Sequence, residues 1–326
     1  MKPSALCAAL VVATMPSLAG AQFIAEPIPL DRPLGTGPYP AIMEMDPTLP
    51  THTLYRPAEL AKVGGKMPIV VWGNGACRNE GNRYHYLLAE ISSHGYLVLA
   101  LGPIGPSEIE IWRGTPAQPF VSGGPGQRAV GPAPVGPPRP RTTPTATRSS
   151  QMIDAINWAH AENSRSGGRF MGRLDSSTIA VMGTSCGGAQ AIEVSADPRI
   201  DTTIVWNSGL FPEPIAMGGK TLTKDDLKLL HAPVAYVSGD DLDIAFNNAN
   251  DDFERLNHVP VLRAYRKQTG HEGTFGEANG GDFGKVGVAW LNWRLKGDAV
   301  AGRMFLGAQC GLCTDPQWVV KQKNLR

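Results

Sequence analysis

The stretch Gly183-Thr184-Ser185-Cys186-Gly187 constrains this chain more than any other, because of what stands on either side of it. Residues 178–182 form a short apolar run of the kind found in buried strands, and residues 188–195 are compatible with a helix. A strand that passes into a helix within a few residues must turn sharply, and Gly183 and Gly187 let the backbone approach itself closely enough to do so. The serine between them is then held on a strained turn, its hydroxyl toward solvent and the positive end of a helix behind it. The five-residue pattern is short enough to arise by chance, so its weight comes from the strand before it and the helix after it.

The rest of the chain repeats the same alternation. Strands are predicted at 68–72, 96–101, 178–182, 202–206, 233–238 and 259–265, and helices at 84–93, 149–162, 188–195, around 246–256 and about 285–295. The runs at 68–72 and 96–101 are almost continuously apolar, as expected of strands covered on both faces. The fold class that follows is α/β: a mostly parallel, doubly wound sheet with right-handed crossovers and helices on both faces. With 326 residues, 42% of them hydrophobic, one large domain over residues 22–326 is the expectation.

Three segments interrupt the pattern. Residues 22–50 carry Pro27, Pro29, Pro33, Pro38 and Pro40, which predict an extended entry before any regular sheet. Residues 102–144 dissolve into Pro and Gly and read as an inserted loop, either bordering a ligand crevice or a disordered excursion. Residues 297–326, with Cys310 and Cys313, are expected to fold back as a stapled appendix.

The N-terminus reads as a secretory leader: Lys2, an apolar run from Ala5 to Met15, then Ala19-Gly20-Ala21 before Gln22. Cleavage is expected near Ala21, giving a secreted or periplasmic protein with no integral membrane segment, since no later stretch has about 18 consecutive apolar residues. Lys plus Arg number 30 and Asp plus Glu 29, so charge suggests neither a nucleic-acid partner nor an anionic membrane surface. The protein is read as a monomer. Cys7 leaves with the leader, so Cys77, Cys186, Cys310 and Cys313 remain in an oxidising compartment. Cys310-Gly-Leu-Cys313 suits a local disulfide or half a metal site, but no second pair at zinc-like spacing completes a metal site, and disulfides are preferred.

A serine hydroxyl is unreactive at neutral pH unless a histidine takes its proton and an acid fixes that ring. The chain order serine, acid, histidine leaves His231, His258 and His271 among the 7 histidines. The first two sit at the starting ends of strands, whereas His271 follows the exit of the 259–265 strand, at the edge where ligands of open α/β sheets bind. The acid is expected in Gly239-Asp240-Asp241-Leu242-Asp243, and spacing does not choose among the three carboxylates. The oxyanion that forms on the substrate needs backbone donors, for which the amide of Cys186 and that of Ala76, in the loop 72–77, are the candidates, with Gly75 beside the substrate. If these loops meet, Cys77 and Cys186 are neighbours, and a disulfide between them would clamp the two donors, leaving Cys310 to pair with Cys313. Trp206 ends the strand after the serine turn and either lines the substrate pocket or lies in the core. This chemistry requires no metal and no organic cofactor.

The segments Gly183-Thr-Ser-Cys-Gly-Gly, Ser92-Ser-His-Gly-Tyr-Leu-Val-Leu and Gly239-Asp-Asp-Leu-Asp-Ile-Ala resemble bacterial cutinases, polyester hydrolases and the related dienelactone-hydrolase and chlorophyllase-like group, over roughly residues 66–295. The resemblance implies an α/β-hydrolase fold and a serine esterase acting on a small-molecule or polymeric ester. It selects Asp243 as the acid, puts an aromatic near Trp206 in the substrate cleft, and supports export and a C-terminal disulfide. Two departures stand out: Ala76 where those enzymes carry an aromatic, and Cys186 where they carry methionine. The 102–144 loop has no counterpart in them, so a substrate smaller or more elaborate than a polyester fits as well. An amide or prolyl-peptide hydrolase using the same three residues, or a catalytically silent binding protein, are the competing readings.

Overall fold

The computed structural model describes residues 34–105 and 146–326. The expected leader and nearly all of the 102–144 loop lie outside them. Among the described residues, nine strands form one mixed, mostly parallel sheet: β1 (Ala41–Met45), β2 (His52–Pro57), β3 (Met67–Gly73), β4 (Leu97–Leu101), β5 (Leu174–Thr184), β6 (Thr202–Trp206), β9 (Val234–Gly239), β10 (Val261–Arg266) and β11 (Trp318–Lys323). A separate two-stranded ribbon pairs β7 (Ile215–Ala216) with β8 (Thr221–Leu222). The order across the large sheet is β1-β2-β4-β3-β5-β6-β9-β10-β11. From β4 through β10 every pairing is parallel, so β3, β5, β6, β9 and β10 all end on the same edge.

Helices α1 (His85–Ser93), α2 (Ser150–Ser164), α3 (Cys186–Val194), α4 (Phe246–Arg255) and α5 (Gly281–Lys296) connect the strands or close the chain against the sheet. The strand pleat explains which helix lies where. Val70 and Trp72 join α1 and α5 in one core, with Leu87, Ile91, Val286 and Trp290. Ile69 and Val71 point the other way, against Met152 and Ile156 of α2. Further along that second face, Val205, Tyr236 and Val261 pack on Ile192 of α3 and Phe253 of α4. The central strands must be apolar on both faces because both faces are roofed, and this is why their sequence runs are continuous.

The edges differ from expectation. The proline-rich entry does not stay outside the sheet: β1 lies within residues 22–50 and pairs antiparallel with β2, which pairs antiparallel with β4. At the other edge β11 pairs antiparallel with β10, so the C-terminal tail is a ninth strand as well as a stapled segment. β1 reads Ala-Ile-Met-Glu-Met and β11 Trp-Val-Val-Lys-Gln-Lys, with only some positions buried. Such half-solvated strands lack the apolar run that reveals a central strand. Among the described residues no helix is long and apolar enough to cross a membrane.

Candidate active site

Ser185 stands between the end of β5 and the first residue of α3, at φ 53° and ψ −120°. A non-glycine residue in that region is strained and persists only where its surroundings impose it. Here the imposition is steric. A Cβ on Gly183 would run into the carbonyls of Gly187 and Gly73, and one on Gly187 would fall on the Gly73 carbonyl itself. The Gly187 amide donates to the Asn74 carbonyl at 3.0 Å and the Ser185 amide to the Trp206 carbonyl at 3.1 Å. The turn is thus pressed between the ends of β3 and β6, with the N-terminal end of α3 behind it.

The loop after β3 comes to the same place. A Cβ on Gly75 would lie 3.8 Å from the Ser185 Cβ and 2.7 Å from the Tyr84 hydroxyl. Ala76 and Cys77 follow at φ 53° and 49°. Cys77 and Cys186 form a disulfide with Cα atoms 5.2 Å apart, and Cys310 and Cys313 form a second at 4.8 Å. Both pairings agree with those expected from the sequence, and they fit an extracellular or periplasmic setting. Among the described residues, the amides of Ala76 and Cys186 donate to no protein acceptor.

Asp243 follows β9 and His271 follows β10, on the edge where Ser185 lies. The His271 Nδ1 and Asp243 Oδ1 atoms are 2.6 Å apart. A carboxylate in this position accepts a hydrogen bond from Nδ1–H, an arrangement that in the neutral ring turns the Nε2 lone pair outward. The Asp243 side chain is fully buried, while that of His271 is 23% exposed, which leaves the ring open to a ligand. Two more donors hold the acid: the Ala245 amide on Oδ1 at 2.9 Å and Asn207 Nδ2 on Oδ2 at 2.9 Å. The neighbouring acids are engaged otherwise or lie in solvent: Asp240 accepts the amides of Gln268 and Leu242, and Asp241 is exposed.

Asn207 is a residue that sequence reasoning missed. It is buried, lies just beyond β6 at φ 40°, and donates to both Asp243 and the Gly270 carbonyl, tying the acid loop to the histidine loop. Ser208 extends the link by donating from Oγ to the Ser185 carbonyl at 2.6 Å. Ser185, Asp243 and His271 are therefore joined through the end of β6. Among the described residues no hydrogen bond links the Ser185 hydroxyl to the His271 ring directly.

Trp206 requires a correction. It has no exposed surface; its ring stacks on Phe283 at 5.2 Å and meets the edge of Phe275 at 5.9 Å. It belongs to the core beneath the site, not to the wall of a cleft, because a strand residue pointing toward α5 cannot also face the strand ends. Among the described residues, exposed apolar side chains that follow strand ends on this edge include Phe211, Leu242 and Ile244, at 40%, 38% and 62%.

No protein-family model matches this chain, and no curated protein matches it.

Proposed function

We propose that this protein is an exported serine hydrolase of the α/β-hydrolase fold that cleaves carboxylic esters through an acyl-enzyme. The observation that carries the reading is the 2.6 Å pairing of buried Asp243 with partly exposed His271 on the sheet edge where the strained Ser185 turn stands. Ser185 Oγ attacks the ester carbonyl carbon as His271 Nε2 takes its proton. The carbonyl oxygen gathers charge and is held by the amides of Ala76 and Cys186, whose hydrogens have no other protein partner among the described residues. Protonated His271, stabilised by Asp243, returns the proton to the departing alkoxide, and water repeats the cycle to release the acid. Hydrogen bonds of this kind are commonly loose in the free enzyme and tighten once substrate is bound, which accommodates the absent Ser185–His271 bond.

The reading is tested with purified mature protein and p-nitrophenyl acyl esters. Replacing Ser185 by Ala is expected to lower kcat by at least about 10⁴-fold while leaving the circular dichroism spectrum intact. Wild-type-like turnover in S185A would overturn the assignment. A panel of acyl chain lengths, polyester films and peptide amides then separates ester from amide chemistry.

A further inference from the structure

The Cys77–Cys186 bond joins the two turns that carry the unpartnered amides. Cys77 directly follows Ala76 and Cys186 directly follows Ser185, so the sulfur bridge is one residue from one donor and on the other. The residues it gathers are unusual: Ala76, Cys77 and Ser185 have φ of 53°, 49° and 53°, three non-glycine positions in the left-handed region within one small site. The Ser185 turn is held by glycine packing against β3 and needs no bridge. Ala76 has no such packing, since it is exposed. The atoms that fix its turn sit around Cys77: the Thr147 amide donates to the Cys77 carbonyl at 2.8 Å, and buried Gln190 on α3 aims its Nε2 at the Cys77 sulfur, 3.6 Å away. The Arg78 amide closes the turn over Ala76 by donating to the Gly75 carbonyl at 3.1 Å, and the covalent link to Cys186 is what ties that turn to the Ser185 turn.

We propose that the Cys77–Cys186 disulfide is the positioning element of the oxyanion site and a redox gate on it, so that the oxidised protein is competent and the reduced protein is not. The proposal rests on the reading of Ser185 as a nucleophile. The reductant is a dithiol: one thiolate attacks a bridge sulfur, a mixed disulfide forms, and the second thiolate displaces it. The bridge gains two electrons and two protons and becomes two thiols, and the dithiol becomes a cyclic disulfide. Cys77 and Cys186 are 8% and 5% exposed, which suits slow reduction by a small dithiol. The fold survives because β3 still pairs with β5 along seven residues of β3, and the Gly187–Asn74 bond uses neither sulfur.

The test isolates this bridge in a C310A/C313A variant, which is expected to retain wild-type kcat on p-nitrophenyl butyrate. That variant is titrated with dithiothreitol, alkylated, and weighed by mass spectrometry to count freed thiols, with kinetics and circular dichroism followed in parallel. The expected result is a loss of about 100-fold in kcat that tracks bridge reduction, with KM within about twofold, an unchanged spectrum, and recovery on reoxidation. A C77A/C186A double variant assayed at 10 °C is expected to repeat the loss in a protein that cannot form the bridge. Unchanged kcat with both thiols alkylated overturns the gate alone. Loss of the spectrum together with activity also overturns it, since the bridge would then hold the fold and not the site. An oxidised protein without esterase activity sinks the proposed function and the gate with it.

Discussion

Asn207 shows how much of a site can rest on a residue that performs no chemistry. Its amide nitrogen is the one side-chain donor on Asp243 Oδ2 among the described residues, and it reaches the carbonyl next to His271 as well. A hydrogen bond to a charged, buried carboxylate contributes about 1.5–3 kcal/mol. Removing it leaves Asp243 free to turn away from His271. N207A is therefore expected to lower kcat/KM on aryl esters by about 10- to 100-fold and to lower the melting temperature by a few degrees; unaltered kinetics would show that Ala245 and His271 suffice to hold the acid. At this scale the sequence was legible where chemistry demands a residue type, as at Ser185 and His271. Spacing was silent on choice among like groups, and the family resemblance alone singled out Asp243: Asp240, Asp241 and Asp243 differ only in which loop atoms they face, and that is set by the turn. The polar Asn207 immediately after an apolar strand was the available signal for the missed residue.

At the scale of elements, the β5–turn–α3 unit is held by space, and Gly187 is its tightest point. Its φ is not in the left-handed region, so a side chain is excluded by contact alone: a Cβ there would collide with the Gly73 carbonyl and the Asn74 amide, both backbone. Neither can move without parting β3 from α3. G187A is expected to cost about 3 kcal/mol or more in urea denaturation, the upper range for overpacking, and to abolish activity with it. A variant as stable as wild type would mean that the turn can open. Gly188 is crowded as well: a Cβ there would lie 2.5 Å from the Ser208 Cβ, which side-chain rotation does not move, and 3.0 Å from the Gly183 carbonyl. The central strands and crossover helices could be read from the sequence because roofing on both faces leaves continuous apolar runs. β1 and β11 could not, since antiparallel edge strands need only half of their side chains inside, and β2, though buried at five of its six positions, has its apolar run broken by His52, Thr53 and Arg56.

The whole molecule spreads its ionisable groups so that acid acts on its surface and its interior in opposite directions. Several carboxylates are held below their usual range by hydrogen bonds: Asp175 by Ser177, Asp197 by Arg199, Asp251 by Lys224 and Asp282 by Lys285. A lowered folded-state value means the unfolded chain binds protons first, so this stability is present above about pH 4 and is lost as pH falls further. Asp252 behaves in the reverse sense. Burial in the wedge between α4 and the loop after β6 pushes its carboxyl up to about 6, although it accepts from Lys224 Nζ at 2.6 Å and from the Leu210 amide at 2.8 Å. Here the folded chain binds the proton more readily, so the contribution is full below about pH 4 and is lost as pH rises through about 6. Because Asp252 anchors Leu210, three residues from Asn207, the cost falls close to the site. The free energy of unfolding, measured in urea from pH 3 to 7, is expected to fall steeply below pH 4 for both wild type and D252N, while between pH 4 and 6 wild type loses stability relative to D252N. Parallel curves across that upper interval would mean that Lys224 keeps Asp252 ionised throughout and that burial is not the governing effect.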